Sequence, residues 1–410
     1  LDQDALRHAQ FVVFYLPMHT ATRLAVQWAR VVRTQNPAAR LVACGLYAPL
    51  NAELLREVGF SVVLGPEFEA DLCALADSLS EGREVVDSFA RHAKLPRLSF
   101  ETPDRTGLPA LGHYAHVALP DGGHRTAGYT EATRGCKHLC RHCPIVPVYS
   151  GQFRVVPVDV VLADIRQQVH AGAEHITFGD PDFFNGITHA ERIIEALHAE
   201  FPQLTYDVTI KIEHLLRHAD SLRALARTGC LFVTSAVESL DDGILRKLEK
   251  GHTRADFFHV LGHCADAGLT LQPTFVAFTP WTTCQNYSEL LEVVADRDLI
   301  PAVPPVQLAI RLLVPSRSRL LELPEIAKIV EGFDAEKLVY PWRHPEPEVD
   351  ALAARVVQIV EAGDQQKLSR TRIFERIWQA ARDFLPALRS RSHFTHTSRA
   401  VPFLSEPWYC

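Results

Sequence analysis

The sequence predicts an α/β protein in which an N-terminal Rossmann-like parallel sheet precedes a partial (β/α)6 TIM-like barrel and a mainly helical C-terminal tail. Three observations carry that expectation. Over the first 80 residues, strand-length apolar runs alternate with segments of helical apolar spacing. From Thr126 the alternation resumes for six further units, spaced roughly 25–50 residues apart. Beyond Leu320 only helical spacing continues. Alternation of strands with helices implies a parallel sheet with helices packed on it. In barrels of this kind the chemistry lies at the carboxyl ends of the strands.

Each element has its own signal. Phe11 to Pro17 (FVVFYLP) reads as a buried strand, Ala21 to Gln35 as a helix, and Ala39 to Tyr47 as a second strand. A short helix follows with Asn51 as its N-cap, a residue type suited to that position. SVVLG is then a strand, and Phe68 to Leu79 a helix. This Rossmann-like domain, 1–80, is expected to lack its first strand: the chain starts at Leu1 and its only methionine is Met18, as in a fragment of a reading frame. Residues 81–125 are richer in Pro, Gly, His and Arg. Their apolar content (Leu95, Leu98, Phe100, Leu108, Tyr114) is too high for a solvated tether, so they predict a packed connector.

The barrel, 126–320, has strand candidates GYTEA, HITFGD, YDVTIK, LFVTSAVES, LQPTFVAF and VQLAIRLLV. Helical segments lie between them at 158–171, 187–200, 214–228, 241–250, 254–267 and 287–298. The extension, 321–410, carries helical spacing from Val349 to Ala362 and from Leu368 to Phe384.

Composition narrows the function classes. Hydrophobic residues at 47% and charged residues at 22% are the balance of a folded globular chain, which excludes whole-chain disorder. A formal net charge of -7 gives no support for coating nucleic acid or a membrane surface. No window approaches the roughly 20 apolar residues of a spanning helix, and the N-terminus lacks a secretory signal. Nine cysteines are too few and too uneven for a disulfide framework. A reducing cytoplasm is the expected compartment.

Three of those cysteines fall within eight residues. Cys136, Cys140 and Cys143 are spaced C-x3-C-x2-C in TRGCKHLCRHCP, directly after the first barrel strand. Three thiolates on one tight loop can bind three irons of a [4Fe–4S] cluster and leave the fourth iron open, as a catalytic zinc with three protein ligands keeps a free position. The alternative is a structural zinc with His138 or His142 as fourth ligand, although no second zinc-type cysteine pair lies at a fitting distance.

A C-x3-C-x2-C run after the first strand of a six-unit barrel resembles the signature of radical S-adenosylmethionine (SAM) enzymes. The resemblance implies that Cys136, Cys140 and Cys143 hold a [4Fe–4S] cluster whose open iron takes the amino and carboxylate groups of SAM. An electron from the cluster then cleaves the sulfonium, usually giving a 5′-deoxyadenosyl radical, while the protein positions and shields. It also implies an electron donor such as flavodoxin or ferredoxin. His142 stands where the family usually has an aromatic residue near SAM's adenine; otherwise it is a loop histidine.

Further positions follow from the same resemblance. Gly179 and Asp180, in FGDPDFFNG, lie where the family has a Gly-Gly-Glu-like element that meets SAM's amino group; Asp-Pro-Asp here departs from that pattern, and Asp182 stays ambiguous. The segment is also simply rich in turn residues. Lys211, beside Glu213 at the end of the third strand, could pair with SAM's carboxylate or be an ordinary rim lysine. TSAVESLDDGILRKLEKGHT is similar to the fourth-strand element, which makes Ser235 and Glu238 SAM contacts and Ser239 a further one. Ser239 could equally N-cap the next helix, with Asp242 as the capping-box acid. Arg311, on the sixth strand, could reach SAM's carboxylate bidentately or be a structural ion-pair residue. Cys44, Cys73, Cys230, Cys264 and Cys284 read as packing cysteines, and His393 and His396 have no metal spacing.

The whole resembles the radical SAM group with a cobalamin-binding-like N-terminal domain. The Asp-x-His-x-x-Gly motif that supplies a histidine to cobalt does not occur in residues 1–80. The expected function is SAM-dependent radical chemistry on an unidentified substrate, in selenium, sulfur or arsenic metabolism. Two alternatives are cobalamin-dependent radical methylation and a non-catalytic SAM- or cluster-binding regulator. FLSEPWYC, ending at Cys410, resembles the approach to a Cys-Sec-Ala-Glu-Pro or Cys-Cys-Ala-Glu-Pro tail, and a selenocysteine codon read as a stop would truncate the chain there.

Overall fold

The computed structural model describes residues 3–81, 98–384 and 400–406. In chain order the first elements are α1 (Gln3–His8), β1 (Phe11–Tyr15), α2 (His19–Gln35), β2 (Arg40–Cys44), α3 (Ala52–Val58), β3 (Phe60–Val63) and α4 (Glu69–Ser80). Next come β4 (His116–Ala118), β5 (His124–Thr130), β6 (Thr133–Gly135), α5 (Val146–Tyr149), β7 (Phe153–Val155), α6 (Val158–His170), β8 (His175–Phe178) and α7 (Ile187–Glu200). They are followed by β9 (Thr205–Thr209), α8 (Ile212–Arg217), α9 (Leu222–Arg227), β10 (Cys230–Glu238), α10 (Asp242–Lys247), α11 (Arg254–Asp266) and β11 (Thr270–Phe275). The last are α12 (Cys284–Asp296), α13 (Pro324–Ile329), α14 (Pro347–Gln365), α15 (Arg370–Phe384) and β12 (Phe403–Leu404). The chain divides into two compact units, one of Leu1–Ser99, His138–Gln152 and Leu313–Trp342, the other of Phe100–Lys137, Phe153–Leu312 and Arg343–Cys410.

The first unit is built on a three-stranded parallel sheet, β1-β2-β3. Its helices follow from apolar spacing: α2 buries Thr22, Ala25, Ala29 and Val32, steps of three and four that keep one face on the sheet. Asn51 is the N-cap residue of α3, as expected, but its side chain makes no capping hydrogen bond. A 3-10 turn over Pro49–Asn51 precedes that helix, and the Asn51 amide instead donates to the Tyr47 carbonyl at 3.0 Å.

The second unit holds a seven-stranded sheet in the order β11-β10-β9-β8-β5-β4-β12. From β5 to β11 neighbours run parallel, while β4 and β12 add antiparallel at one edge. Residues 116–118 and 124–125, expected to be connector, therefore belong to the sheet. Asp121, Gly122 and Gly123 turn a hairpin there, and the Asp121 carboxylate accepts from the Gly123 N–H at 2.9 Å.

Two other expectations are corrected. The sixth strand is reduced to one parallel bridge, Phe278 with Arg311. Pro304 and Pro305 start a 3-10 turn over Pro305–Leu308, and proline cannot donate to a ladder. The Gln307 side chain accepts from Phe275 N at 3.0 Å, where a strand backbone would have done so. The single helix expected over 214–228 is two, α8 and α9, because His218–Ser221 breaks into a turn rich in residues that bond their own backbone.

The larger apolar core of the second unit runs from Ile165 and Ile193 through Val233 and Phe257 to Phe374 and Trp378. The helices α14 and α15 close on each other at Gly363, where a Cβ would lie 2.6 Å from Ile373 Cγ1. Among the described residues no helix is long and apolar enough to cross a membrane. Leu95, His393, His396 and Cys410 lie outside the described residues, although the start of the C-terminal FLSEPWYC run forms β12.

Candidate functional site

The cysteine run begins where the second unit leaves β6. That strand pairs antiparallel with β7, Gly135 opposite Phe153, which fixes the backbone just before Cys136. Asn185, buried in the turn after β8, then brackets Cys136 on both sides. Its Nδ2 donates to the Gly135 carbonyl at 3.1 Å, and its Oδ1 accepts from Lys137 N at 3.2 Å. A side chain with one donor and one acceptor can do both. Asn185→Ala is expected to lower the melting temperature, since orphaned buried groups cost about 1–3 kcal/mol each, and to lower iron uptake on reconstitution; calorimetry and iron analysis check this.

Asp180 is wholly buried. Its Oδ2 accepts from Ala132 N at 2.9 Å and its Oδ1 pairs with Thr133 Oγ1 at 2.6 Å, so it ties the end of β8 to the start of β6. Burial pushes its acid up to about 7, against the smaller opposing pull of those hydrogen bonds. The native state thus holds a proton that the unfolded chain has released, and stability should fall as pH rises between about 4 and 7. Asp180→Asn keeps an acceptor for Ala132 N and cannot ionise, so this fall should be absent from the variant's stability over that window in denaturant titrations.

Gly179 N donates to the Thr130 carbonyl at 2.8 Å, and a Cβ at Gly179 would overlap the Tyr129 ring. Asp182, ambiguous in the sequence, starts the following turn by accepting from Phe184 N and pairs with His214 Nδ1 at 2.7 Å, both side chains buried.

In the first unit, Cys143 N donates to the Cys140 carbonyl at 3.2 Å and Val146 N to the Cys143 carbonyl at 3.3 Å, so both cysteines run directly into α5. His142 is half-buried here. Burial and the neighbouring Cys143 thiol push the Tyr47 phenol up to about 12, which keeps it a protonated donor. No disulfide forms among the described cysteines.

The carboxyl ends of β9 and β10 gather the remaining predicted residues. Ser235 is fully buried, and among the described residues its Oγ and the Oγ1 of Thr234 have no hydrogen-bond partner; buried polar groups are rarely left so. Glu238 has a positive φ of 68°, beside a register slip between β10 and β11. Such strain in a residue with a side chain collects at functional positions. Its carboxylate meets Lys250 Nζ at 3.2 Å, with both side chains buried. Lys211 pairs with Glu213 at 3.2 Å. Gly251 lets the returning chain approach: its φ is +74°, and a Cβ would lie 2.7 Å from Glu213 Oε2. Burial, then the Lys250 cation, lower His252 to about 4. The neutral ring donates from Nε2 to the Val237 carbonyl at 3.2 Å and leaves a buried, unpartnered Nδ1.

Ser239 does not cap α10. Asp241 does, its carboxylate accepting from Ile244 N, while Ser239 Oγ accepts from Asp241 N at 3.1 Å. Ser239, Glu238, Asp241, Asn286 and Glu289 line a shallow hollow beside the end of β10. Arg311 pairs with Asp350 of α14 at 2.6 Å. Cys44, Cys230 and Cys264 are buried, whereas Cys73 is exposed and Cys284 half-buried at the start of α12. Asn185 and Lys250 were not among the expected site residues. Asn185 follows the turn-rich Asp-Pro-Asp, and Lys250 stands in the Lys-Gly-His-Thr run, so each had a local signal.

Residues 130–295 match the family model of the Radical SAM superfamily. Among curated proteins, the chain is 23% identical over 254 residues to tRNA-2-methylthio-N(6)-dimethylallyladenosine synthase of Christiangramia forsetii, covering 56% of this chain and 49% of that protein. It is 23% identical over 269 residues to bacteriochlorophyllide d C-8(2)-methyltransferase of Chlorobaculum tepidum, covering 59% and 58%. The chain thus spans about half the length of the curated relatives it matches. Among solved structures, the cobalamin-dependent S-adenosylmethionine radical enzyme OxsB with aqua-cobalamin bound matches with a TM-score of 0.69 at 13% identity, over 92% of this chain and 64% of that one. The radical S-adenosylmethionine methyltransferase TsrM from Kitasatospora setae matches with a TM-score of 0.57 at 17% identity, over 72% and 62%. The likeness to these two is one of fold.

Proposed function

We propose, from the premise that this chain carries a radical SAM domain and belongs to that superfamily, that it is an enzyme that reductively cleaves SAM to modify an as yet unidentified substrate. The observation that carries this reading is the C-x3-C-x2-C run, which lies inside the matched segment and directly follows β6. Cys136, Cys140 and Cys143 would hold the [4Fe–4S] cluster, since three soft thiolates suit iron and leave one iron open. When bound, the cluster supplies the electron that breaks SAM's sulfonium bond.

The chain's own residues bind and orient. Ser235 Oγ, a donor and acceptor, and His252 Nδ1, an acceptor, have no partner among the described residues and would bond a polar ligand. Lys250 holds the Glu238 carboxylate in place, and the acidic hollow of Glu238, Asp241 and Glu289 suits the cationic parts of SAM. Gly179 and Asp180 tie the end of β8 to the segment that leads into the cysteine run, while Lys211 is ion-paired with Glu213 and Arg311 with Asp350. The electron donor would be of the flavodoxin or ferredoxin kind. Anaerobic reconstitution followed by incubation of the reduced protein with SAM tests the reading: the SAM fragment formed identifies the bond broken, and no fragment at all removes the proposal.

A second reading, cobalamin-dependent radical methylation, draws support from the likeness to OxsB, which extends over 92% of the chain and so into the first unit. Corrinoid copurification with methyl transfer distinguishes it. Substrate trials should include RNA and ribosomal protein, because relatives named for tRNA and uS12 modification are among the matches.

A further inference from the structure

The limb that carries Cys140 and Cys143 is short of its own secondary structure. It has only the one-turn α5, four residues long, and the turns that lead into it. Two parts of the first unit that are remote in sequence hold this limb. One is the loop after β3. Glu67 there is buried, and its Oε1 accepts from Tyr149 Oη at 2.7 Å across 82 positions. Tyr149 ends α5, whose first N–H is bonded to the Cys143 carbonyl, so a grip on its hydroxyl holds Cys143 through that one-turn helix. The same helix packs on the turn Pro49–Asn51 after β2.

The other part is the turn Arg319–Glu322. Arg319 Nη1 donates to the Leu139 carbonyl at 2.7 Å across 180 positions, directly before Cys140. Glu322 orients that guanidinium through both oxygens, at 3.2 and 3.3 Å from Nε and Nη2. Glu322 also lies 3.9 Å from Arg141, between the two cysteines. Ser318 in turn fixes the start of the turn by accepting from Leu320 N.

We propose that Glu67 and Arg319 are positioning residues for the cluster, which hold the Cys140–Cys143 limb through Tyr149 and the Leu139 carbonyl and thereby set how firmly its thiolates keep iron. Neither touches a reacting atom. The N-terminal unit then serves the cysteines directly, whatever else its parallel sheet binds. Outer partners that orient metal ligands commonly matter by one to two orders of magnitude in metal retention, and nearby hydrogen bonds and charge also tune a cluster's potential.

This rests on the radical SAM reading, and the experiment separates the two. The wild-type chain is reconstituted anaerobically first; a protein that takes up no [4Fe–4S] cluster removes that reading itself. With the cluster present, Tyr149→Phe, Glu67→Leu and Arg319→Leu are each compared for iron loss to a chelator and for the electron paramagnetic resonance spectrum of the reduced cluster. Each should lose iron about tenfold faster and show an altered spectrum. Glu67→Gln, which keeps an acceptor for Tyr149, should restore both. Unchanged iron loss and spectrum in the three variants, even with lowered melting temperatures, would mean that the contacts are merely structural and would overturn the inference. Tyr149→Phe loses one hydroxyl only, so it decides the matter should Glu67→Leu fail to fold.

Discussion

Replacing Cys136, Cys140 or Cys143 singly by Ala is expected to abolish both the broad brown absorption of the reconstituted protein and its cleavage of SAM. Each thiolate would serve a different iron of the cubane, so none can stand in for another. The wild-type chain should take up about four irons with matching sulfide. Absorption spectra, iron and sulfide analysis and chromatography of the SAM products check this. Cys264→Ala is the control, because that thiol is buried among apolar residues of the second unit and should cost packing alone. Full iron retention in all three site variants would end the assignment. So would one zinc per chain without sulfide.

The second large effect concerns the buried pair at the end of β10. Glu238→Gln should weaken SAM binding about tenfold or more, as expected for losing a charged acceptor worth roughly 1.5–3 kcal/mol, while the iron content stays at the wild-type level. Lys250→Met should instead act on folding. Breaking a buried ion pair from one side costs about 3–5 kcal/mol, and both side chains here are buried. Combining Lys250→Met with Glu238→Gln should recover part of that loss, since no carboxylate is left to be stranded. Calorimetric unfolding of the four proteins and SAM titration of the cluster-loaded forms measure both effects. Unchanged SAM affinity in Glu238→Gln would leave Glu238 a purely structural role.

Much of this architecture was legible in the chain, and the gaps have physical reasons. Strands such as β8, β9 and β10 are compact apolar runs ended by turn residues, and amphipathic helices such as α6 and α7 declare themselves by their spacing. The sixth strand misled because VQLAIRLLV has strand-like composition, while Pro304 and Pro305 and a bonding Gln307 side chain decided the backbone. The hairpin of β4 and β5 was missed because three-residue pairing leaves little periodicity. Of the candidate site, the cysteine spacing stands out in the local sequence, and so do Ser235 and Glu238 as candidates in the run that ends β10. The bonds of Asp180 to Ala132 and Thr133 have no local signal, because a carboxylate's partners depend on which groups the fold brings near. Glu67 and Arg319 had no local signal: their partners lie 82 and 180 positions away.

The edge of the large sheet has a consequence for how the protein is made. β4 finds its outer neighbour in β12, with Ala118 opposite Phe403 and Val117 opposite Leu404. His116 N donates to Ser405 Oγ across 289 positions. At a synthesis rate of about 5–20 residues per second, the ribosome needs roughly 15–60 s to cover that interval. During it, the nascent chain carries an open strand edge, the kind of template on which other chains can pair. Its brevity, three residues, limits the hazard without removing it. Contacts of such long range also slow folding, since the loop must close before they form. The recoverable yield of this protein therefore depends on how its sheet edge is kept from other chains while translation finishes.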